Sequence, residues 1–214
     1  MDNLAPDNQA QLFTLSSAAS GCTACGLSKT RNKVVFGEGK PNAPLVFVGE
    51  GPGQNEDASG RPFVGRAGEL LDQCLAECRM NRSHVYICNI VKCRACLMEF
   101  GRVKNRQPAP EEIDSCSDWL AKQLGIIQPM VIVCLGAPAA NTLIHANFKI
   151  TQERGKWFDT SPHCRYISAA LHPAYILRQD GPAYLHARQM LVDDIEAARK
   201  KVIAARKEPN PALF

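Results

Sequence analysis

The sequence predicts an α/β fold of three layers, α/β/α, around a central four-stranded parallel sheet. Two observations carry this. Four short runs, at residues 45–48, 85–91, 130–135 and 165–170, are apolar without alternation, as strands buried on both faces are. Each run is followed by a loop and then a helical pattern, the order that builds a parallel sheet covered on both sides. Taking the helices in turn, residues 68–79 place Leu70, Leu71, Cys74, Leu75 and Cys78 on one face. Pro110 opens a helix running to about 124, with Glu111 and Glu112 in the first turn, where the macrodipole favours anions. A third helix is expected at 138–147. A long one at 182–206 ends in "EAARKKVIAARK", with cations where a helix C-terminus favours them. Residues 1–214 read as one domain, with ends frayed at about 1–10 and 208–214.

Composition bounds the function classes. A chain of 214 residues can bury one substantial core, and a formal charge of +4 tolerates a polyanionic partner without requiring one. No run of 18 apolar residues offers a bilayer span, so no membrane partner is expected. The opening "MDNLAPDNQAQLF" is too acidic and polar for a secretory signal. Ten cysteines in such a chain point to free thiols plus a metal site, in a cytoplasmic protein. A monomer is expected.

In open α/β sheets ligands bind beyond the carboxyl ends of the strands. The stretches to inspect are therefore "GEGPG", "CNIVKC", "LGAP" and "LHPAYILR". The first belongs to a loop, residues 49–68, with six glycines in twenty positions. It lacks the Gly-Lys-Ser/Thr of a P-loop and the G-x-G-x-x-G of a dinucleotide fold. Its Glu50, Glu56 and Asp57 would line a bare phosphate poorly, so a neutral or transiently anionic ligand suits it better. Phe63 in "RPFVG" is an aromatic in a loop, for which core packing is the simpler use.

Cys22 and Cys25 form a C-x-x-C knuckle, and Cys93 with Cys116 is the most plausible second pair. Four thiolates suit Zn²⁺ or a [4Fe–4S] cluster, and spacing alone leaves zinc slightly ahead. Cys96 makes a second C-x-x-C with Cys93; if it is a ligand, Cys116 need not be. Cys74, Cys78, Cys88, Cys134 and Cys164 read as packing residues.

The segments "CTACGLSKTR", "GEGPGQNEDASGRPFVGRAGELL", "VYICNIVKCR", "NRQPAPEEIDSCSDWLAKQL", "VIVCLG" and "LHPAYILR" together resemble the family 4, iron–sulfur branch of the uracil-DNA glycosylases. They run in order from about residue 21 to 195, nearly the whole chain. The resemblance implies a uracil-DNA glycosylase-like fold and a DNA-repair enzyme that flips out uracil and hydrolyses its N-glycosidic bond, leaving an abasic site. Its partner would be uracil-containing DNA. It also implies that Cys22, Cys25, Cys93 and Cys116 hold a structural [4Fe–4S] cluster, reversing the preference for zinc. Two alternatives are a broader deaminated-base glycosylase acting on hypoxanthine or xanthine, and a crosslinking or non-catalytic uracil-DNA binding protein.

The same resemblance assigns roles. Phe63 would stack on the extruded base, and Asn89 would read it by accepting from N3–H and donating to O4. His172 would donate to uracil O2 as charge leaves with the base, aided by the backbone N–H of Gly51. Glu50 or Glu56 would orient the water, with Glu56 slightly preferred, and Glu50 also belongs to the uracil pocket. Tyr175, Ile176 and Leu177 would form an apolar wedge ending in Arg178. Arg61, Arg66, Lys92, Lys104 and Arg106 are candidates for phosphate contact.

Three departures stand out. Residues 94–104, "RACLMEFGRVK", lengthen a loop that is short in most of the family. A self-crosslinking branch carries a histidine nucleophile in an insertion at this place. Here the insertion has none, so turnover is expected. Gly51 stands where the best-known superfamily members have an aspartate. Gly53 stands where they exclude thymine with a tyrosine, so another group, such as a carboxylate near C5, would have to exclude it here.

Overall fold

The computed structural model describes residues 7–159 and 161–208. The main sheet contains β1 (Glu38–Gly39), β2 (Leu45–Gly49), β3 (Tyr86–Asn89), β6 (Val131–Leu135) and β7 (Tyr166–Ala170), in the order β1-β3-β2-β6-β7. Four strands are parallel, as the apolar runs predict, but the sheet has a fifth member. β1 pairs antiparallel with β3, Glu38 opposite Ile87. Two residues give no readable pattern, and pairing there depends on Gly39. Its φ is +132°, and a Cβ on it would stand 2.1 Å from the Val85 carbonyl oxygen.

Alternate residues of β2 supply opposite faces of the sheet, which makes the three layers. Val46 and Val48 pack with Leu120, Leu124 and Ile127 of α4 (Pro110–Ile127), Leu12 of α1 (Asn8–Ser20), and Ala139 and Ala140 of α5 (Ala137–Leu143). Leu45 and Phe47 pack with Leu70, Leu71, Cys74 and Leu75 of α3 (Arg66–Glu77) and with Leu191 and Ile195 of α8 (Gly181–Ala205). Short helices α2 (Gln54–Ser59), α6 (Ile150–Glu153) and α7 (Pro173–Ile176) shape the loops.

Two expectations about the ends are corrected. Residues 8–10 are not frayed: Asp7 accepts from the Gln9 N–H and opens α1, which lies on α4 and holds it through Asn8 Nδ2 to the Ile126 carbonyl, 2.9 Å. Glu208 is also held, by Tyr166 Oη at 2.8 Å and Arg165 at 2.7 Å. Residues 1–6 and 209–214 lie outside the described ones.

The lengthened loop forms a separate hairpin of β4 (Cys96–Glu99) and β5 (Arg102–Asn105). Among the described residues no helix is long and apolar enough to cross a membrane.

Candidate active site and thiol-lined cavity

Because the four long strands are parallel, their carboxyl ends share one edge of the sheet. Gly49 at the end of β2 is in register with Asn89 at the end of β3, and β7 runs directly into Leu171 and His172. A cavity of about 480 Å³ opens there, lined by Glu50, Gly51, Glu56, Phe63, Asn89 and His172 among others. The structure thus gathers every residue of the expected catalytic and uracil-binding set into one place.

Asn89 is buried, and its Oδ1 accepts no hydrogen bond from any described residue. A buried acceptor left open costs on the order of 1–3 kcal/mol, which an intended partner would recover. Phe63 stands beside it: a Cβ on Gly49 would lie 2.5 Å from Asn89 Oδ1 and 2.6 Å from Phe63 Cζ. Only glycine at 49 lets the amide and the ring meet over the strand end. Phe63 itself is strained, with φ +52°, a conformation that costs a non-glycine residue ~1–2 kcal/mol. Arg82 maintains it, donating to the Phe63 carbonyl and, at 2.9 Å, to that of Pro62. Arg82 is in turn paired with Glu38 at 2.5 Å and Asp72 at 2.8 Å. Gly68 completes the brace, since any Cβ there would collide with the Phe63 carbonyl oxygen at 1.7 Å. Arg82 is a contributor that no motif marks; isolated arginines look alike in a sequence.

The ring of His172 lies 5.7 Å from that of Phe63, centroid to centroid. Its Nδ1 accepts from the Ala174 N–H at 3.0 Å, so the neutral ring carries its proton on Nε2. Desolvation first, and then the nearby Arg178 charge, push its pKa down to about 4. The residue is part-buried and lines the cavity. The accepted hydrogen bond and the lowered pKa make it a neutral N–H donor at pH 7. Gly136, with φ +92°, lets the histidine pack close, a Cβ there standing 3.1 Å from His172 Cβ.

The two glutamates differ. Glu56 accepts from the Val64 N–H at 2.9 Å, the Gly65 N–H at 3.0 Å and the Gly53 N–H at 3.1 Å. Its carboxylate clamps the loop that carries Phe63. Glu50 Oε1 is buried and accepts nothing from the described residues, and desolvation raises its pKa. The departures at 51 and 53 also find a physical reason. A Cβ on Gly51 would stand 2.8 Å from Val91 Cγ2, and one on Gly53 2.7 Å from Glu56 Oε2. Neither an aspartate nor a tyrosine fits without moving the wall.

A second cavity of about 320 Å³ adjoins the first, sharing Glu50 and His172 and reaching Tyr175 and Arg178. The expected wedge is only partly available. Tyr175 is exposed, but Ile176 is fully buried in the core beneath α7, and Leu177 is half-buried against that core. Helical geometry turns successive residues by about 100°, so neighbours cannot all point outward.

Of the basic candidates, Arg66 and Arg106 line the main cavity, and Arg106 is also held by both oxygens of Glu112 at 2.7 Å. Arg61 is not among the lining residues and pairs with Glu38 at 2.7 Å. Lys104 pairs with Glu99 on the hairpin. Lys92 is excluded as a phosphate contact. It is fully buried, its ammonium donating to the Asn89 carbonyl at 2.9 Å and Gln123 Oε1 at 2.7 Å.

Cys22, Cys25, Cys93 and Cys116 all line one tight cavity away from the base site, together with Arg31 and Trp119. Three of the sulfurs already receive N–H groups: Cys22 from Trp119 Nε1 at 3.3 Å, Cys116 from the Lys92 backbone at 3.3 Å, Cys93 from Arg31 at 3.5 Å. Burial raises the Cys93 thiol to about 11 against the pull of Arg31, and raises Cys116 as well. Cys96 does not line this cavity; it opens β4, at the root of the hairpin. Cys116, and not Cys96, shares the cavity with Cys22, Cys25 and Cys93. Cys74, Cys78, Cys88 and Cys134 are core residues, as expected.

Comparisons with known proteins agree with the geometry. The family model of the uracil DNA glycosylase superfamily matches residues 36–196. A type-4 uracil-DNA glycosylase of Thermotoga maritima is 44% identical over 179 residues, 83% of this chain and 88% of its own length. One from Archaeoglobus fulgidus is 38% identical over 199 residues, 90% of this chain and 92% of its own. A third, from Sulfurisphaera tokodaii, is 37% identical over 193 residues, 87% of this chain and 82% of its own. With the strand-end cavity and the four gathered thiols, these matches show that the chain belongs to the uracil-DNA glycosylase superfamily and, within it, to the type-4 branch.

Proposed function

We propose that this chain removes uracil from DNA, flipping the nucleotide into the strand-end cavity and hydrolysing its N-glycosidic bond to leave an abasic site. The observation that carries the reading is the open, buried Oδ1 of Asn89 beside the strained ring of Phe63. A flat base with an N–H donor next to a carbonyl satisfies that amide, with N3–H to Oδ1 and O4 to Nδ2. Cytosine presents the reverse pattern and would leave both groups unpaired. Phe63 supplies the stacking face, worth ~1–3 kcal/mol for any base.

As the bond between C1′ and the base nitrogen breaks, its electron pair moves onto uracil. The Nε2–H of His172 meets that charge at O2. A neutral, preorganised donor of this kind accounts for ~3–4 kcal/mol of barrier lowering. The water that adds to C1′ is oriented by Glu50, whose raised pKa suits it to take up a proton. Glu56 holds the loop instead, its oxygens accepting from three backbone N–H groups. Arg66, Arg106, Tyr175 and Arg178, at the cavity rims, contact the DNA strand.

The thiol cavity fits a [4Fe–4S] cluster held by Cys22, Cys25, Cys93 and Cys116. Four cysteines surround one space, the all-thiolate donor set that such clusters take. Bound there, the cluster would supply a cross-link between the N-terminal segment, β3's loop and α4, in a cavity that shares no lining residue with the base site.

The test is an excision assay on single-stranded and duplex oligonucleotides containing uracil, hypoxanthine or xanthine. Free uracil released over many turnovers is the expected result. A covalent protein–DNA adduct, or binding without release, would refute the reading, and comparable release of the purines would widen the substrate class.

A further inference from the structure

We propose that the hairpin of β4 and β5 is a duplex-probing element. It extends the wall of the base cavity outward and seats the ring of Phe100 in the base stack beside the extruded nucleotide. This rests on the reading of the cavity as a site for a base flipped out of DNA.

The strand register places the hairpin relative to the cavity. Cys96 pairs with Asn105 and Met98 with Val103, so these four side chains share one face; Leu97, Lys104, Glu99 and Arg102 share the other. Asn105 lines the base cavity, its Nδ2 3.6 Å from where a Cβ on Gly53 would lie. The face continuing outward from the cavity wall is therefore the one that carries Met98 and Val103, 69% and 48% exposed. The ribbon ends in Phe100, 95% exposed.

The tip is built to present that ring. Phe100 and Gly101 both have positive φ, +49° and +72°, the two-residue turn whose twist matches its strands. A phenylalanine in this backbone conformation, almost wholly in water, gives the folded chain nothing in return for its strain. The root is anchored: Arg94 Nε donates to Asn105 Oδ1 at 2.7 Å, and Arg106 is held by Glu112. Lys104 pairs with Glu99, and Arg102 has no ion-pair partner among the described residues, which leaves a cation beside the apolar tip.

Duplex DNA is the occupant that these features favour. The apolar face is continuous with the cavity that takes the extruded base, and Arg102 offers charge to a phosphate. Extruding a nucleotide leaves a gap that apolar side chains fill. Of the expected wedge after β7 only Tyr175 is exposed, to 41%, because Ile176 is buried and Leu177 is half-buried. Phe100 supplies the missing wedge.

The experiment uses the full chain in single-turnover release of uracil from matched duplex and single-stranded oligonucleotides, with 2-aminopurine next to the uracil as a reporter of unstacking. Phe100→Ala should lower the duplex-to-single-strand rate ratio roughly 5- to 100-fold and abolish the fluorescence rise on duplex binding. Phe100→Leu, which keeps an apolar wedge, should retain most of both. A ratio within about twofold of the unaltered chain with the rise intact overturns the proposal and leaves the tip to a protein partner; equal loss on both substrates also overturns it and makes the tip a general strand contact. If the unaltered chain itself releases no uracil, it is the reading of the cavity that fails.

Discussion

The chain carries two sites built from polar residues, and they are finished in opposite ways. In the thiol-lined cavity the sulfurs of Cys22, Cys93 and Cys116 already accept N–H groups. In the base cavity Asn89 Oδ1 and Glu50 Oε1 are buried and open. The first arrangement suits a permanent occupant whose loss would unbalance the fold. The second suits a ligand that comes and goes, with the cost of open groups borne by the strained loop and its brace. Two cavities in one small protein thus separate stability from chemistry, and variants in each should show it.

The largest effect is expected at the thiols. Cys116→Ala, or removal of the proposed cluster by oxidation and chelation, should lower the unfolding midpoint by on the order of 10 °C or prevent folding. Cys74→Ala, equally buried but only packed, should cost about 1–2 kcal/mol. Equal losses in the two variants, read by thermal unfolding, would erase the distinction between ligand and packing cysteines.

His172→Ala should do the reverse. Uracil release should slow by ~10²–10³, while stability falls only by the ~1 kcal/mol that a lost helix cap costs. A loss of stability as large as the loss in rate would mean that the histidine's role is structural.

The pH dependence sharpens the same contrast. The His172 pKa is pushed down to about 4, so the ring stays neutral where an ordinary histidine titrates. Protonation would place a second N–H on Nδ1, facing the Ala174 N–H that now donates there. The acid limb due to His172 should therefore lie near pH 4, and the ¹⁵N shifts of its ring should keep the Nε2–H pattern at pH 5. For stability the sign follows from proton uptake. Between about 4 and the ordinary 6.5 the unfolded chain binds the proton and the folded chain does not, so this contribution is lost as pH falls through that window. An imidazolium signature at pH 6 would contradict the tautomer.

The smallest effect is expected at the brace. Arg82→Ala frees the Pro62 and Phe63 carbonyls and loosens the stacking ring without touching the base. KM should rise roughly three- to tenfold with a lesser change in kcat, measured on short uracil-containing strands.

Much of this was legible in the residues. Unbroken apolar runs placed four strands to within two residues at each end, because strands buried on both faces need no alternation to be read. The residues just past them supplied the candidate site for the same reason, since parallel strands bring their carboxyl ends to one edge. β1 escaped notice because two residues make no pattern. α1 escaped because its apolar residues form no broad stripe, and its place comes from contact with α4.

The motifs also could not say which way each side chain points. Ile176 and Tyr175 are adjacent in one motif, yet one is core and the other surface. Glu50 and Glu56 are both acidic loop residues, but only the folded loop brings three N–H groups to Glu56 and leaves an oxygen of Glu50 open. Lys92 reads as a surface cation until Gln123, 31 residues away, closes over it.

By itself, then, the sequence determined the layer architecture, the family and the list of chemically competent residues, all of which depend on local pattern and composition. Tertiary structure alone decided which glutamate is spent on the backbone, which lysine is buried, and which wedge residues reach solvent. Each of these turns on burial and hydrogen-bond satisfaction, which are settled only by the packing of the whole.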